Sequence, residues 1–170
     1  MSYAIVASSR TGNTRMLAKG LEEALAGSVS YFGGVPSDMG DIDGADAVLV
    51  GFWTDKGTCD DDLAAFLGRL SGKRVFLFGT AGFGGSEKYF SEITGRVAAN
   101  LPADAELLGS CMCQGRMGEA VRSRFEGMLE KDPDDARAKA MIDNFDRALA
   151  HPDEADVERV VSAARSALGL

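Results

Sequence analysis

Small and hydroxyl-bearing residues follow the first apolar run of the chain. The run at 3–7 is followed by Ser9, Arg10, Thr11, Gly12, Asn13 and Thr14. Small residues let a backbone curl so that its N–H groups point inward, and a helix that begins at once adds the positive end of its dipole. The hydroxyl and amide side chains supply further hydrogen-bond donors. The segment therefore predicts a phosphate-binding loop, and an ordinary capped strand-to-helix turn is the alternative.

Two other phosphate-binding motifs do not fit the chain. The pattern G-x-G-x-x-G is absent after the first apolar run. A P-loop needs G-x-x-x-x-G-K-[ST], but one residue too few separates Gly68 from Gly72, and Arg74 follows Lys73. The sequence therefore favours neither a dinucleotide-binding protein nor a P-loop protein.

Apolar runs and helical periodicities alternate along the chain. Strands are predicted at 3–7, 29–32, 47–52, 75–78 and 106–113, and helices at about 13–26, after 60–62, at 87–100 and through most of 117–168. This alternation predicts an α/β three-layer sandwich, in which a parallel five-stranded sheet of order 2-1-3-4-5 carries helices on both faces.

The chain length fits one domain, with additional helices at the C-terminal end. The 170 residues are about the size of a single domain. Prolines interrupt the helical pattern near Asp132-Pro133 and His151-Pro152. We expect one domain over 1–170, with a core over about 1–130 and a C-terminal helical extension over about 134–168.

Three loops are predicted to meet at the carboxyl ends of the strands, where sheets of this kind bind ligands. These loops cover 8–14, 53–59 and 80–86. Trp53, the only tryptophan, follows a buried strand and can stack on a flat ring. A tryptophan that caps the sheet end is the alternative. Phe83, in the third loop, can flank the other face of such a ring.

The segment 9–14 resembles the phosphate loop of the flavodoxin family, commonly Ser/Thr-x-Thr-Gly-Asn-Thr. The resemblance covers about 1–116 by element order, and the stretches 51–58, 78–82 and 113–116 are similar to short flavodoxin-like proteins of anaerobes, one of which is known beside bilirubin reductase. It implies bound FMN, with the phosphate in the first loop and the isoalloxazine ring between the second and third. The implied cofactor-binding residues are Ser9, Arg10, Thr11, Gly12, Asn13, Thr14, Trp53, Thr54, Asp55, Lys56, Gly57, Thr80, Ala81, Gly82, Phe83 and Cys113.

Some of these positions have two readings. Many flavodoxins carry Tyr where this chain has Phe83. Gly57 lies where flavodoxins often turn a peptide over on reduction; its freedom in φ permits that, and a tight turn requires it equally. Asp55 and Lys56 either bracket the ring edge or pair with each other at the surface.

The cysteines and the single histidine predict no metal or hydrolytic centre. Three cysteines do not form a disulfide framework, and no fourth Cys or His completes a zinc site. Cys111 and Cys113 face the same side of a strand. We expect Cys111 in the core, and Cys113 either in the core or lining the flavin pocket. His151 lies far along the chain from the three loops.

Charge and hydropathy narrow the class of protein. The net charge of −8 argues against a nucleic-acid partner, and no apolar run is long enough for a membrane span. Too few residues precede the first apolar run for a signal peptide, so we expect a cytoplasmic protein. Between Glu130 and Glu158 there are ten acidic and four basic residues, which form either a solvated face or a surface that attracts basic partners.

The resemblance implies an FMN-binding carrier that shuttles single electrons between redox proteins, rather than a stand-alone enzyme. Its partners would be a reductase donor and a terminal reductase acceptor, for which a tetrapyrrole reductase is one candidate. An FMN-dependent NAD(P)H reductase of a quinone or other small acceptor is the alternative. A flavin-free interaction module is the second alternative.

Overall fold

The computed structural model describes residues 1–170. Its elements in chain order are β1 (Tyr3–Ala7), α1 (Asn13–Ala24), β2 (Val29–Gly33), α2 (Gly40–Asp43), β3 (Ala47–Trp53), α3 (Asp61–Leu67), β4 (Arg74–Ala81), α4 (Glu87–Ala98), β5 (Glu106–Gln114), α5 (Glu119–Lys131), α6 (Ala136–Ala148) and α7 (Glu154–Leu168). All five predicted strands are present. β4 extends three residues past its predicted end, so Thr80 and Ala81 belong to the strand rather than to the loop.

The strands form one parallel sheet in the order β2-β1-β3-β4-β5, which confirms the predicted flavodoxin-like order. Because β2 and β3 flank β1, the chain reverses its direction of winding between β1 and β3. The carboxyl ends of these strands and of β4 reach the same edge of the sheet. The loops that follow β1, β3 and β4 are therefore held side by side.

Each face of the sheet has its own apolar core. One core lies under α3 and α4 and includes Phe52, Phe66 and Ile93. The other lies under α1 and α7 and includes Leu17 and Phe78. Two layers of helices on one sheet form the predicted three-layer sandwich.

Two glycines let the carboxyl ends of β3 and β4 pack closely. Gly51 pairs with Phe78, and Phe52 pairs with Gly79. A Cβ at Gly51 would lie 2.4 Å from the Phe78 ring, and one at Gly79 would lie 2.4 Å from the Phe52 ring. Each phenylalanine thus fills the space that a side chain on the neighbouring strand would occupy. This packing fixes the two strand ends from which Trp53 and Thr80 project.

The two helices within the predicted extension over 134–168, α6 and α7, pack against different parts of the protein. α7 packs on α1 and β5, and it contributes Val160, Ala164 and Leu168 to the core. The spacing of these three residues places them on one face of the helix. α5 and α6 pack on each other and form a helical hairpin inserted between β5 and α7. None of the helices combines the length and apolarity that crossing a membrane requires.

Candidate functional site

A cavity of about 380 Å³ opens at the carboxyl ends of β3 and β4, beside the loop that joins β1 to α1. Eight of the sequence-predicted site residues line it: Arg10, Thr11, Asn13, Trp53, Thr54, Thr80, Ala81 and Gly82. The opposite wall consists of Gly115, Arg116, Met117, Gly118, Ala120 and Val121. The volume of the cavity, about 380 Å³, lies within the roughly 300–1,000 Å³ that is usual for small-molecule sites.

The N-terminus of α1 borders this cavity without a side-chain cap. The helix begins at Asn13 after Gly12, whose φ of +90° turns the chain into it. By contrast α3, α4, α6 and α7 each have a capping side chain. The Ser9 hydroxyl accepts a hydrogen bond of 3.3 Å from the Arg15 N–H, the third N–H of the helix. The N–H groups of Asn13 and Thr14 are left for an external acceptor, and the helix dipole favours an anion there.

Two arginines bring positive charge to the cavity. The guanidinium carbon of Arg10 lies 5.3 Å from the centroid of the Trp53 ring, within the range of a cation–π contact. Arg116 lines the opposite wall. Both arginines are exposed, and neither takes part in any of the ion pairs of the structure. The cavity therefore combines an aromatic face with two cations that lack a carboxylate partner.

Thr14 serves the fold rather than the cavity. Its side chain is buried, and its hydroxyl donates to the Phe52 carbonyl at 3.2 Å and lies 3.1 Å from the Thr80 hydroxyl. The expectation that this hydroxyl faces a ligand is corrected, because it is turned into the sheet. Thr54 lines the cavity, but its hydroxyl donates to the Thr80 carbonyl at 2.8 Å.

Asp55, Lys56 and Gly57 form a tight turn outside the cavity lining. The Asp55 N–H donates to the Thr58 carbonyl at 2.8 Å, and the Thr58 N–H donates back at 3.0 Å. Lys56 and Gly57 have φ of 49° and 86°, the signs that a type I′ turn requires. The Gly57 carbonyl accepts a hydrogen bond of 3.0 Å from Arg96. Asp55 and Lys56 form no ion pair with each other, which corrects the expectation of a surface pair, and the expectation that they bracket the ring edge stays a prediction.

Phe83 and Cys113 also lie outside the cavity lining. Phe83 is 39% exposed on the loop after β4. Cys113 is wholly buried in the core under α1 and α7, and this burial raises the pKa of its thiol to about 12. The expectation that Cys113 lines the pocket is corrected: side chains alternate along a strand, and position 113 faces the helix layer. Burial also raises the pKa of Cys111, whose side chain is only partly exposed.

The wall that follows β5 was not predicted as part of the site. The Gly115 N–H donates to the Ala81 carbonyl at 2.9 Å, and the Asn13 amide donates to the Arg116 carbonyl at 2.8 Å. The Arg116 N–H donates to the His151 carbonyl at 2.9 Å. The segment is thus fixed to β4, to α1 and to the turn before α7. The sequence carries a signal for this wall, because Gly115 and Gly118 flank Arg116 just past the end of β5, the strand next to β4.

A second charged cluster lies away from this cavity. The Asp156 carboxylate accepts hydrogen bonds of 2.6 Å from Arg159 and 3.0 Å from the Asp153 N–H, and it lies 2.6 Å from the His151 ring. Burial alone raises the pKa of Asp156, but the hydrogen bonds from His151, Asp153 and Arg159 outweigh burial and lower it. His151, Asp156 and Arg159 border a larger cavity of about 840 Å³ between α4, β5 and α7.

The fold and the cavity can now be compared with those of known protein families. The family model described as flavodoxin domain matches residues 4–165, and the chain belongs to this family. The chain is 44% identical over 175 residues to the flavodoxin-like domain-containing protein BilS of Clostridium symbiosum (strain WAL-14163), covering 92% of this chain and 90% of that protein. It is 31% identical over 163 residues to the protein of the same name from Clostridioides difficile (strain CD3), with the same coverage of 92% and 90%.

A solved structure agrees with the fold. The flavodoxin of Streptococcus pneumoniae TIGR4 superposes with a TM-score of 0.60 over 99% of each chain, at 18% sequence identity. The family prediction and its branch of short flavodoxin-like proteins are therefore confirmed.

Proposed function

We propose that this protein binds FMN non-covalently in the 380 Å³ cavity and carries single electrons between redox proteins. Membership of the flavodoxin domain family supports the choice of FMN and of redox chemistry. The observation that carries the proposal is the meeting of an uncapped helix N-terminus, two unpaired guanidinium groups and the only tryptophan at one cavity. The helix N-terminus and the guanidinium groups attract a phosphate, and the tryptophan can stack on a flat heteroaromatic ring.

The side chains at the cavity divide between the two ends of such a ligand. Ser9, Arg10, Thr11, Gly12 and Asn13 would hold the phosphate through main-chain N–H groups and the Thr11 hydroxyl. Arg10 would add charge, which makes hydrogen bonds to phosphate stronger than neutral ones.

The ring would pack against the apolar part of the lining. Trp53, Ala81, Met117 and Val121 supply that surface and exclude water from it. Main chain at Thr80 and Gly82 allows a ring edge to approach closely, since Gly82 has no side chain. FMN supplies the redox chemistry when bound, and the protein supplies orientation and electrostatics.

We propose redox proteins as partners, a reductase donor and a terminal reductase acceptor. The acceptor that we favour is a tetrapyrrole reductase. Transfer of electrons from the reduced protein to bilirubin reductase in a reconstituted assay would support this assignment, and no transfer would reject it. The assignment of residues 1–170 to one domain and the cytoplasmic location stay predictions.

The test of carrier function is a reductive titration of the protein after excess FMN has been removed by gel filtration. We expect FMN to stay bound and dithionite to produce a spectral form between the oxidised and the fully reduced flavin. A protein that elutes without FMN contradicts the proposal. Steady-state oxidation of NADPH with a quinone as acceptor would instead support the reductase alternative.

A further inference from the structure

Asn144 is a buried polar side chain on α6, a helix of the inserted hairpin. It is 8% exposed. Its amide nitrogen donates to the Gly82 carbonyl at 3.0 Å, and its amide oxygen accepts from the Gln114 amide at 3.1 Å. The Gln114 amide also donates to the Gly82 carbonyl at 3.0 Å. Two side chains that hydrogen-bond each other therefore converge on one backbone carbonyl of the cavity wall.

The loop that starts at Gly82 lies directly on this pair. A Cβ at Gly84 would lie 2.5 Å from the Gln114 side chain, and one at Gly82 would lie 2.5 Å from Met117. Two donors occupy both lone pairs of the Gly82 carbonyl. Because a peptide unit is planar and trans, the N–H of Phe83 points away from the side that faces Asn144. The orientation of this peptide is therefore fixed from α6.

We infer that Asn144 is a positioning residue for the FMN cavity, an inference that rests on the proposed function. It holds the Gly82 peptide in one orientation, so that the α5–α6 hairpin, and not the sheet alone, sets the shape of the cavity lining at Gly82. Asn144 does not line the cavity itself and acts through Gly82.

The test replaces the donor with an acceptor of the same shape, Asn144→Asp. A carboxylate oxygen then faces the Gly82 carbonyl and repels it, while Gln114 keeps an acceptor. We expect the Kd for FMN to rise about tenfold, since one hydrogen bond is exchanged for an unfavourable contact. We also expect amide hydrogen exchange of Gly115, whose N–H donates to the Ala81 carbonyl next to Gly82, to accelerate in the protein without FMN.

The matched control is Asn100→Asp, the same change at a helix end that does not line the cavity. The Asn100 amide donates to the Arg96 and Val97 carbonyls at 3.2 and 3.0 Å. We expect this variant to lose stability but to keep the Kd for FMN within about twofold of wild type and the exchange of the Gly115 amide unchanged.

The hydrogen-exchange readout separates the two proposals. Faster exchange of the Gly115 amide supports the positioning role even where wild-type protein fails to bind FMN, which would overturn the proposed function alone. Wild-type exchange and an unchanged Kd in Asn144→Asp overturn the positioning role. Asn144→Leu removes the same donor at similar side-chain size and adds no charge, and it is the variant to use where Asn144→Asp does not fold. We expect the same direction of change in both readouts, and no change in either overturns the inference.

Discussion

Two of the cavities of this protein differ in how the charged side chains around them are partnered. The larger one, of about 840 Å³, is bordered by His151, Asp156 and Arg159, and the Asp156 carboxylate is hydrogen-bonded to both of the other side chains. The smaller one, of about 380 Å³, is bordered by Arg10 and Arg116, which form no ion pair. Under the proposed function the ligand occupies the smaller cavity, whose cations the fold leaves unpaired, whereas the internally paired cluster stabilises the fold.

The largest expected effect comes from removing both unpaired cations, Arg10→Gln with Arg116→Gln. Each hydrogen bond to a charged group is worth about 1.5–3 kcal/mol, so we expect the Kd for FMN to rise about 100-fold or more. Stability should change little, because neither arginine has a carboxylate partner to leave behind. The measurement is an FMN titration together with urea unfolding.

A control for net charge is Arg124→Gln with Arg137→Gln. Both side chains lie outside the cavity lining and form no ion pair. This pair should leave the Kd for FMN within about twofold of wild type at physiological salt. An equal loss of affinity in both double variants would mean that overall charge, and not the cavity, attracts the ligand.

For Asp156→Asn, in the cluster of His151, Asp156 and Arg159, we expect a loss of stability without a loss of FMN affinity. Asp156 is 3% exposed, and its carboxylate also completes the capping box of α7. Loss of these charge-assisted hydrogen bonds should lower the free energy of unfolding by about 2 kcal/mol, with the Kd for FMN unchanged. Urea denaturation measures the first quantity, and a loss of FMN affinity in folded protein would contradict the division between the two regions.

The same carboxylate predicts a pH dependence of stability. Its pKa in the folded protein is lower than the ordinary value of 3.8, so folding favours the ionised form. Its contribution is complete well above pH 4 and is lost as the pH falls through the lowered folded pKa. The unfolding free energies of wild type and Asp156→Asn should therefore approach each other below about pH 4. A difference that stayed constant down to acid unfolding would show that the ionised carboxylate is not the stabilising form.

The loop and the sheet order could be predicted from the sequence because both depend on local patterns. Ser9 to Thr14 and Trp53 stand directly at strand ends, and alternating strands and helices restrict the order of a parallel sheet. Eight of the predicted residues do line the cavity.

The wall after β5 depends on packing that a single sequence does not encode locally. Ala120 and Val121 lie in the first turn of α5, and they reach the cavity only through the path of the segment that joins β5 to α5. Alternation also shows that Cys111 and Cys113 share a face, but not which helix layer that face meets. The apolar stripe of α7 is likewise compatible with an extension or with the core. Only the packing of Val160 on β5 and α1 decides between them.

A smaller effect is expected at Cys113, for which the sequence predicts either the core or the pocket. Cys113→Ser places a hydroxyl in an apolar core and should lower the free energy of unfolding by about 1–2 kcal/mol. The Kd for FMN should not change. In native wild-type protein the thiol should resist a maleimide reagent at pH 8, because its pKa of about 12 leaves almost no thiolate. Rapid labelling of Cys113 that is blocked by FMN would show that Cys113 lines the pocket.

The smallest effect is expected in the turn after β3. Lys56 has φ of 49°, and Asn-Gly is the pair that type I′ turns prefer. Lys56→Asn should therefore raise the free energy of unfolding by about 0.5 kcal/mol, an amount typical of relieved turn strain. Its Kd for FMN should equal that of wild type. A marked loss of affinity would place the Lys56 side chain at the ligand.

The central claim is that the cavity at Trp53 binds FMN, and the single tryptophan allows the most direct test. Tryptophan fluorescence is followed while FMN is added to the protein, with the double variant Arg10→Gln and Arg116→Gln in parallel. The account predicts saturable quenching at one FMN per chain, shifted to about 100-fold higher concentration in the variant. Quenching that never saturates in folded wild-type protein, or that is identical in the two proteins, would contradict it.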